Sequence, residues 1–154
     1  MSHIRRPLTI GLAVAVAATA VVTRSASASG DDGTRVLRFT SVQVAETELD
    51  LGAAGFSPGD QIVFSDDLKR SGHKIGTDAG VCTVVRVAGA DTEFTCVTTF
   101  RLPRGTIAVQ AMFSAADLPD VRLAITGGTG AYRDAGGQGR TLAGEVAPVT
   151  LYVD

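Results

Sequence analysis

Beyond residue 34 the chain reads as short runs in which apolar and polar side chains alternate, each bounded by Gly, Pro, Asp or Ser. The runs are Arg35–Val44, Gln61–Asp66, Lys74–Val87, Glu93–Leu102, Thr106–Phe113, Val121–Thr126, Gly130–Asp134 and Leu142–Val153. None shows the 3.6-residue period of an amphipathic helix, whereas a period of two marks a half-buried strand. Eight consecutive strands with short connections predict an up-and-down antiparallel meander. Closing it removes both exposed edges, so the expected fold is all-β, an eight-stranded antiparallel barrel. An open sandwich is the alternative. Alternation also assigns faces: Ile62, Phe64 and Asp66 share one, as do Phe94, Cys96, Thr98 and Phe100, and likewise Val109, Ala111 and Phe113. Eight strands enclose a space that side chains fill or that holds one small ligand. A mostly apolar lining with a rare carboxylate suits a ligand, since the wall supplies affinity and the polar group fixes orientation.

The N-terminus stands outside this pattern. Arg5 and Arg6 precede the uncharged stretch Pro7–Thr23, and Ala26-Ser27-Ala28 supplies a small-x-small cleavage pattern. Residues 1–28 are therefore expected to be a secretory signal peptide, with 29–154 forming one domain of a secreted, extracellular protein. A single-span anchor is the rival reading, disfavoured by the shortness of the stretch and its small residues. The Arg5-Arg6 pair leaves the twin-arginine route open beside the general one. Cleavage changes the charge: the whole chain carries −2, but losing Arg5, Arg6 and Arg24 leaves 11 basic residues against 16 acidic ones, a net −5. That excludes a nucleic-acid or anionic-membrane surface, where clustered Lys and Arg supply most of the affinity. No stable membrane span is expected after cleavage.

The two cysteines, Cys82 and Cys96, flank Ala88-Gly89-Ala90-Asp91, which has the chemistry of a tight hairpin turn. Folding about Gly89 sets the cysteines opposite each other on one face, and in an exported protein the consequence is a disulfide. A four-residue turn would shift the register by one and leave two buried thiols instead.

Residues 124–139 are studded with glycine, from Ala124-Ile125-Thr126-Gly127-Gly128 to Gly136-Gly137-Gln138-Gly139. A phosphate loop needs a following helix or a Lys before its Ser/Thr, and neither is present. The glycines are expected to let a strand bend or bulge at the barrel rim. This run, together with Gly59–Leu68, Ile75–Val85 and Ala108-Val109-Gln110, resembles the corresponding segments of the allene oxide cyclases, in order and spacing; the Asp66-Asp67 pair and Tyr132-Arg133 are similar to motifs of plant dirigent proteins. The resemblance spans most of residues 29–154. It implies a barrel that holds an apolar molecule while its stereochemistry is decided, with no cofactor, and a homotrimer.

In the cyclases a first-strand Glu and a second-strand Asn, assisted by a cavity Cys, promote ring closure of a fatty-acid epoxide. The Asn position corresponds to Asp66 and the Cys to Cys82; the Glu corresponds to Glu46 with a one-residue deletion, or to Ala45 without it. The expected catalytic residues are Asp66 and Glu46, and the expected ligand-binding residues are Ile62, Phe64, Cys82, Phe100, Phe113, Tyr132 and Arg133. Each has a structural rival: Asp66 as a turn cap, Glu46 as a solvated charge, Arg133 as a surface ion pair. His73 is the one histidine beyond the signal, so neither a Ser-His-Asp arrangement nor a His-based metal site has material, and no metal is expected. Two functions follow. One is a cyclase or isomerase that guides cyclisation or coupling of a small hydrophobic substrate; the other is a lipocalin-like carrier. A carboxylate kept in an apolar cavity distinguishes the first from the second, because a pure carrier has no use for its desolvation cost.

Overall fold

The computed structural model describes residues 33–89 and 91–154, so the expected signal peptide lies outside the described residues. Eight strands follow in order: β1 (Arg35–Leu49), β2 (Gln61–Arg70), β3 (His73–Ala88), β4 (Asp91–Leu102), β5 (Gly105–Ser114), β6 (Asp120–Gly128), β7 (Gly137–Leu142) and β8 (Val146–Val153). Each pairs antiparallel with the next, and β8 pairs back onto β1 from Arg35↔Val153 to Val42↔Val146, closing the barrel. The sandwich alternative is excluded. Among the described residues no helix is long and apolar enough to cross a membrane.

Two expected strands are corrected. Gly130–Asp134 is not a strand: Gly130–Tyr132 forms one turn of 3-10 helix, and the seventh strand is Gly137–Leu142. The expected single run Leu142–Val153 is divided by a turn at 143–145 in which Gly144 has φ +142. Alternation alone did not mark these breaks, because small residues carry little face preference.

Bulges decide which side chains face inward. Between Gln43 and Ala45 the β1–β2 register slips by one, which lets β1 run on to Leu49 with its phase inverted. A second slip between Val84 and Arg86 acts on the β3–β4 hairpin. Its turn pairs Ala88 with Asp91, a register that would offset the cysteines; the slip at Val85 restores Cys82↔Cys96 as direct partners. Their sulfurs are joined, with Cα atoms 4.0 Å apart.

The barrel has two unlike ends. At one, the glycine-rich segment closes the floor. Ala131 N–H donates to the Arg104 carbonyl at 2.8 Å, and Thr129 N–H to that of Thr106 at 2.9 Å. So close a backbone approach requires glycine, since a Cβ on Gly105 or Gly130 would meet the facing backbone. The turn buries Tyr132, whose ring lies 5.4 Å beneath the Arg35 guanidinium. Above it pack Phe39, Leu68, Phe100, Ile107 and Leu151, with Phe39 and Phe100 edge to face at 5.3 Å. Leu68, Ile107 and Leu151 are fully buried, each contributing roughly 1.5–3 kcal/mol by burial. The floor half is therefore solid, while the opposite half holds a cavity.

Candidate active site

The cavity measures about 500 Å³ and occupies the end bounded by the β1–β2, β3–β4, β5–β6 and β7–β8 connections. Ile62 and Phe64 from β2 face it, as do Phe100 from β4 and Phe113 from β5. Cys82 and Cys96 form part of the wall as a disulfide, so Cys82 offers no free thiol. Tyr132 and Arg133 do not line the cavity. Tyr132 is buried in the floor, and Arg133 is exposed and paired with Asp134 at 3.1 Å, because the 3-10 turn carries both to the far end.

The 50–60 connection is fixed at the mouth by one buried carboxylate. Asp60 accepts hydrogen bonds from Leu51 N–H at 2.8 Å, Ser57 N–H at 2.6 Å and the Ser57 hydroxyl at 3.1 Å. These donors, the Leu51 and Ser57 amides first, hold its pKa below the ordinary carboxylate value. The Asp60 backbone also clamps β3: its carbonyl accepts from Val84 N–H at 2.8 Å, and Gly59 N–H donates to the Val84 carbonyl at 2.9 Å. The connection thus holds Phe56 edge-on to Phe94 at 5.7 Å, and Phe94 stacks on Phe113 at 5.6 Å.

Asp66 sits in mid-strand, not before a turn, because β2 continues to Arg70; its side chain faces the cavity and caps nothing. Directly across the ladder lies Asp78 of β3. Between them stands Ser41 of β1, whose Oγ is 2.9 Å from Asp66 Oδ2 and 2.9 Å from Asp78 Oδ2. A hydroxyl has one hydrogen and cannot donate to both. The arrangement is satisfied when Ser41 donates to one carboxylate and accepts a proton held by the other. Asp78 is the group suited to hold it: desolvation, only partly opposed by the Ser41 hydrogen bond, and the neighbouring Asp66 charge push its pKa from 3.8 to about 7. The remaining oxygens, Asp66 Oδ1 and Asp78 Oδ1, are buried with no partner in the protein. Below about pH 7 the cluster therefore holds a proton on Asp78 at the cavity wall. One carboxyl can donate a proton while the other accepts one.

Glu46 lines the cavity near its exposed rim, as does Glu145 of the β7–β8 turn. The bulge after Gln43 places Glu46, and not Ala45, on the inner face. Ser41 and Asp78 were not singled out in the sequence. Parity gave a signal for Asp78, which lies on the face of Cys82 and Val84, and for Ser41, which lies on that of Leu37 and Phe39. Only the register showed that they meet Asp66. Among the described residues no group of His, Cys, Asp or Glu is placed to hold a metal ion.

The model of the allene oxide cyclase barrel like domain matches residues 39–146. The chain belongs to this family. Among solved structures of this barrel fold, a pyocyanin demethylase is 26% identical with a TM-score of 0.73, the match covering 78% of this chain and 100% of that one. A pterocarpan synthase dirigent protein is 18% identical with a TM-score of 0.62, covering 79% and 87%. The Diels Alderase AbmU from Streptomyces koyangensis is 17% identical with a TM-score of 0.61, covering 82% and 72%. The last two likenesses concern the fold alone. No curated protein matches the chain by sequence. Within the allene oxide cyclase barrel family, then, this member has Asp66 at the second-strand position where the resemblance places Asn, and a disulfide at the position of the cavity Cys.

Proposed function

We propose that this barrel is a cyclase or isomerase for a small, largely apolar molecule, and that Asp66, Ser41 and Asp78 carry its chemistry. One carboxyl protonates the bound molecule at one atom and the other accepts a proton from a second atom. The formula of the molecule is unchanged, and no external co-reactant is consumed. The apolar wall holds the molecule folded, so that positioning selects one ring closure. The observation that carries this reading is the single hydroxyl 2.9 Å from two cavity-lining carboxyls, each with its other oxygen buried without a partner. A carrier of neutral apolar molecules would have no use for that desolvated pair. Glu46, at the rim, orients the entering molecule.

The test begins with native mass spectrometry of protein purified from its producing cells, to identify what is bound. That compound is then incubated with protein in deuterated water. Conversion or deuterium uptake that is lost in Asp66→Asn and Asp78→Asn supports the proposal. Recovery of the compound unchanged and unlabelled overturns it in favour of the carrier.

Two further proposals concern the protein's setting. The arginine pair, apolar stretch and Ala26-Ser27-Ala28 support export with cleavage before Ser29, which the intact mass of exported protein tests. The outer wall supports assembly, with the trimer implied by the resemblance as the expected state. Val63, Val81 and Val97 form one cross-strand row, and Val63, Val85 and Val97 are exposed. Light scattering that gives a monomer at micromolar concentrations overturns it.

A further inference from the structure

The cavity is charged with one sign only. Asp66, Asp78, Glu46 and Glu145 reach it, and among the described lining residues there is no Lys, Arg or His. Acidic groups near one another are common on solvated surfaces and say nothing by themselves. Here, however, Asp78 is only 5% exposed, and its Oδ1 has no partner in the protein. Asp78 lines the cavity, and a buried acceptor without a partner beside it favours a donor or a positive charge nearby, because an unmade hydrogen bond at such a site is costly. The rest of the wall adds Phe64, Phe100 and Phe113, and aromatic faces attract cations. A volume of about 500 Å³ is that of a small-molecule site.

We propose that the ligand is an organic cation with a flat apolar body, its positive centre set against Asp66 and Asp78 and its body against the phenylalanines. An anionic ligand, such as a fatty-acid carboxylate, would meet four carboxyls and no counter-charge, so the site discriminates against it. This inference rests on the proposed function only in taking the cavity as the ligand site. It concerns equilibrium binding and not turnover, so either can fail alone.

A pH dependence follows. In the cavity Asp78 shares the wall with Asp66 from β2, Ser41, Gln43 and Glu46 from β1, Thr98 and Phe100 from β4, and Glu145 from the β7–β8 turn, none of which supplies a positive charge; a second groove sets Asp66 and Asp78 near Asp67 of β2 and Arg101 of β4. Release of the Asp78 proton adds a negative charge beside the cation, so cation affinity rises with pH through about 7, where Asp78 titrates. A neutral ligand of the same shape lacks this dependence.

Three flat tricyclic probes make the test: 10-methylacridinium as the cation, 10-methylacridone as the neutral compound and anthracene-9-carboxylate as the anion, titrated into the intact protein by calorimetry at about pH 6 and pH 8. The expected result at pH 8 is at least a tenfold tighter Kd for the cation than for the neutral compound, and weaker binding still for the anion. The cation's preference should shrink at pH 6. Asp66→Asn with Asp78→Asn, nearly isosteric, should abolish the preference while 10-methylacridone still binds, which also reports that the cavity is intact. Should that double variant fail to fold, Asp78→Asn alone, read the same way, must lower the preference by several fold. Equal or tighter binding of the anion or the neutral compound overturns the proposal, as does binding of none of the three. Loss of the preference in Glu46→Gln with Glu145→Gln, but not in the aspartate variants, also overturns it by assigning the selection to the rim.

Discussion

Replacing Asp78 by Asn should stabilise the protein above pH 7 and leave it nearly unchanged at about pH 3. Burial and the adjacent Asp66 raise the folded-state pKa of Asp78 to about 7, against 3.8 in an unperturbed chain. Between those values the folded protein holds a proton that the unfolded chain has released. Wild-type stability therefore falls as pH rises from about 4 to about 7 and is level above that. About three pH units at roughly 1.36 kcal/mol each set a ceiling near 4 kcal/mol. Water entering through the mouth, and the sharing of one proton with Asp66, screen the site and reduce the expected effect to about 1–2 kcal/mol. Asn keeps the shape and can still bond Ser41, but it does not ionise. Urea unfolding of wild type and variant, at matched ionic strength, measures the difference. The expected ΔΔG is near zero at about pH 3, where Asp78 is neutral in the folded and the unfolded chain alike, and about 1–2 kcal/mol in favour of the variant at about pH 8. The same ΔΔG at both pH values would refute the reasoning, because it would mean that Asp78 does not change charge across that window.

Other perturbations have definite outcomes. Opening the Cys82–Cys96 bridge by Cys82→Ser with Cys96→Ser should cost roughly 3 kcal/mol for a loop of this span, read as the denaturant midpoint against untreated wild type. Ile107→Ala, at a fully buried floor position, should cost about 2–5 kcal/mol in the same assay, through lost burial and the void left behind. Asp60→Asn should remove the charge that the Leu51 and Ser57 amides bind; hydrogen exchange at those two amides should quicken while the floor strands keep their protection. Phe56→Ala should cost only about 0.5–1 kcal/mol, since Phe56 is 49% exposed and contributes one edge-to-face contact with Phe94.

The alternation along the chain was sufficient to determine an antiparallel all-β meander and the faces of its strands, because side chains on a strand point to opposite sides with a strict period of two, whereas the pairing of β8 with β1 decided that it closes as a barrel. Ile62, Phe64 and Asp66 were assigned to one inward face on that ground alone, and Phe100 and Phe113 to others. Parity holds only between bulges, however, and a bulge has no signature of its own. The one after Gln43 decided that Glu46 faces inward, and the one at Val85 decided that the cysteines meet. The glycine-rich run was legible as a place where the backbone must bend. That it folds down as the floor, burying Tyr132 and turning Arg133 to solvent, depended on the close approach of the β4–β5 turn more than 20 residues away in sequence. The proton-sharing cluster was the least legible part. Ser41, Asp66 and Asp78 come from three strands, and each alone resembles an ordinary polar residue on a strand. The pairing register sets them side by side, and exclusion of water by the barrel wall turns that proximity into a raised pKa.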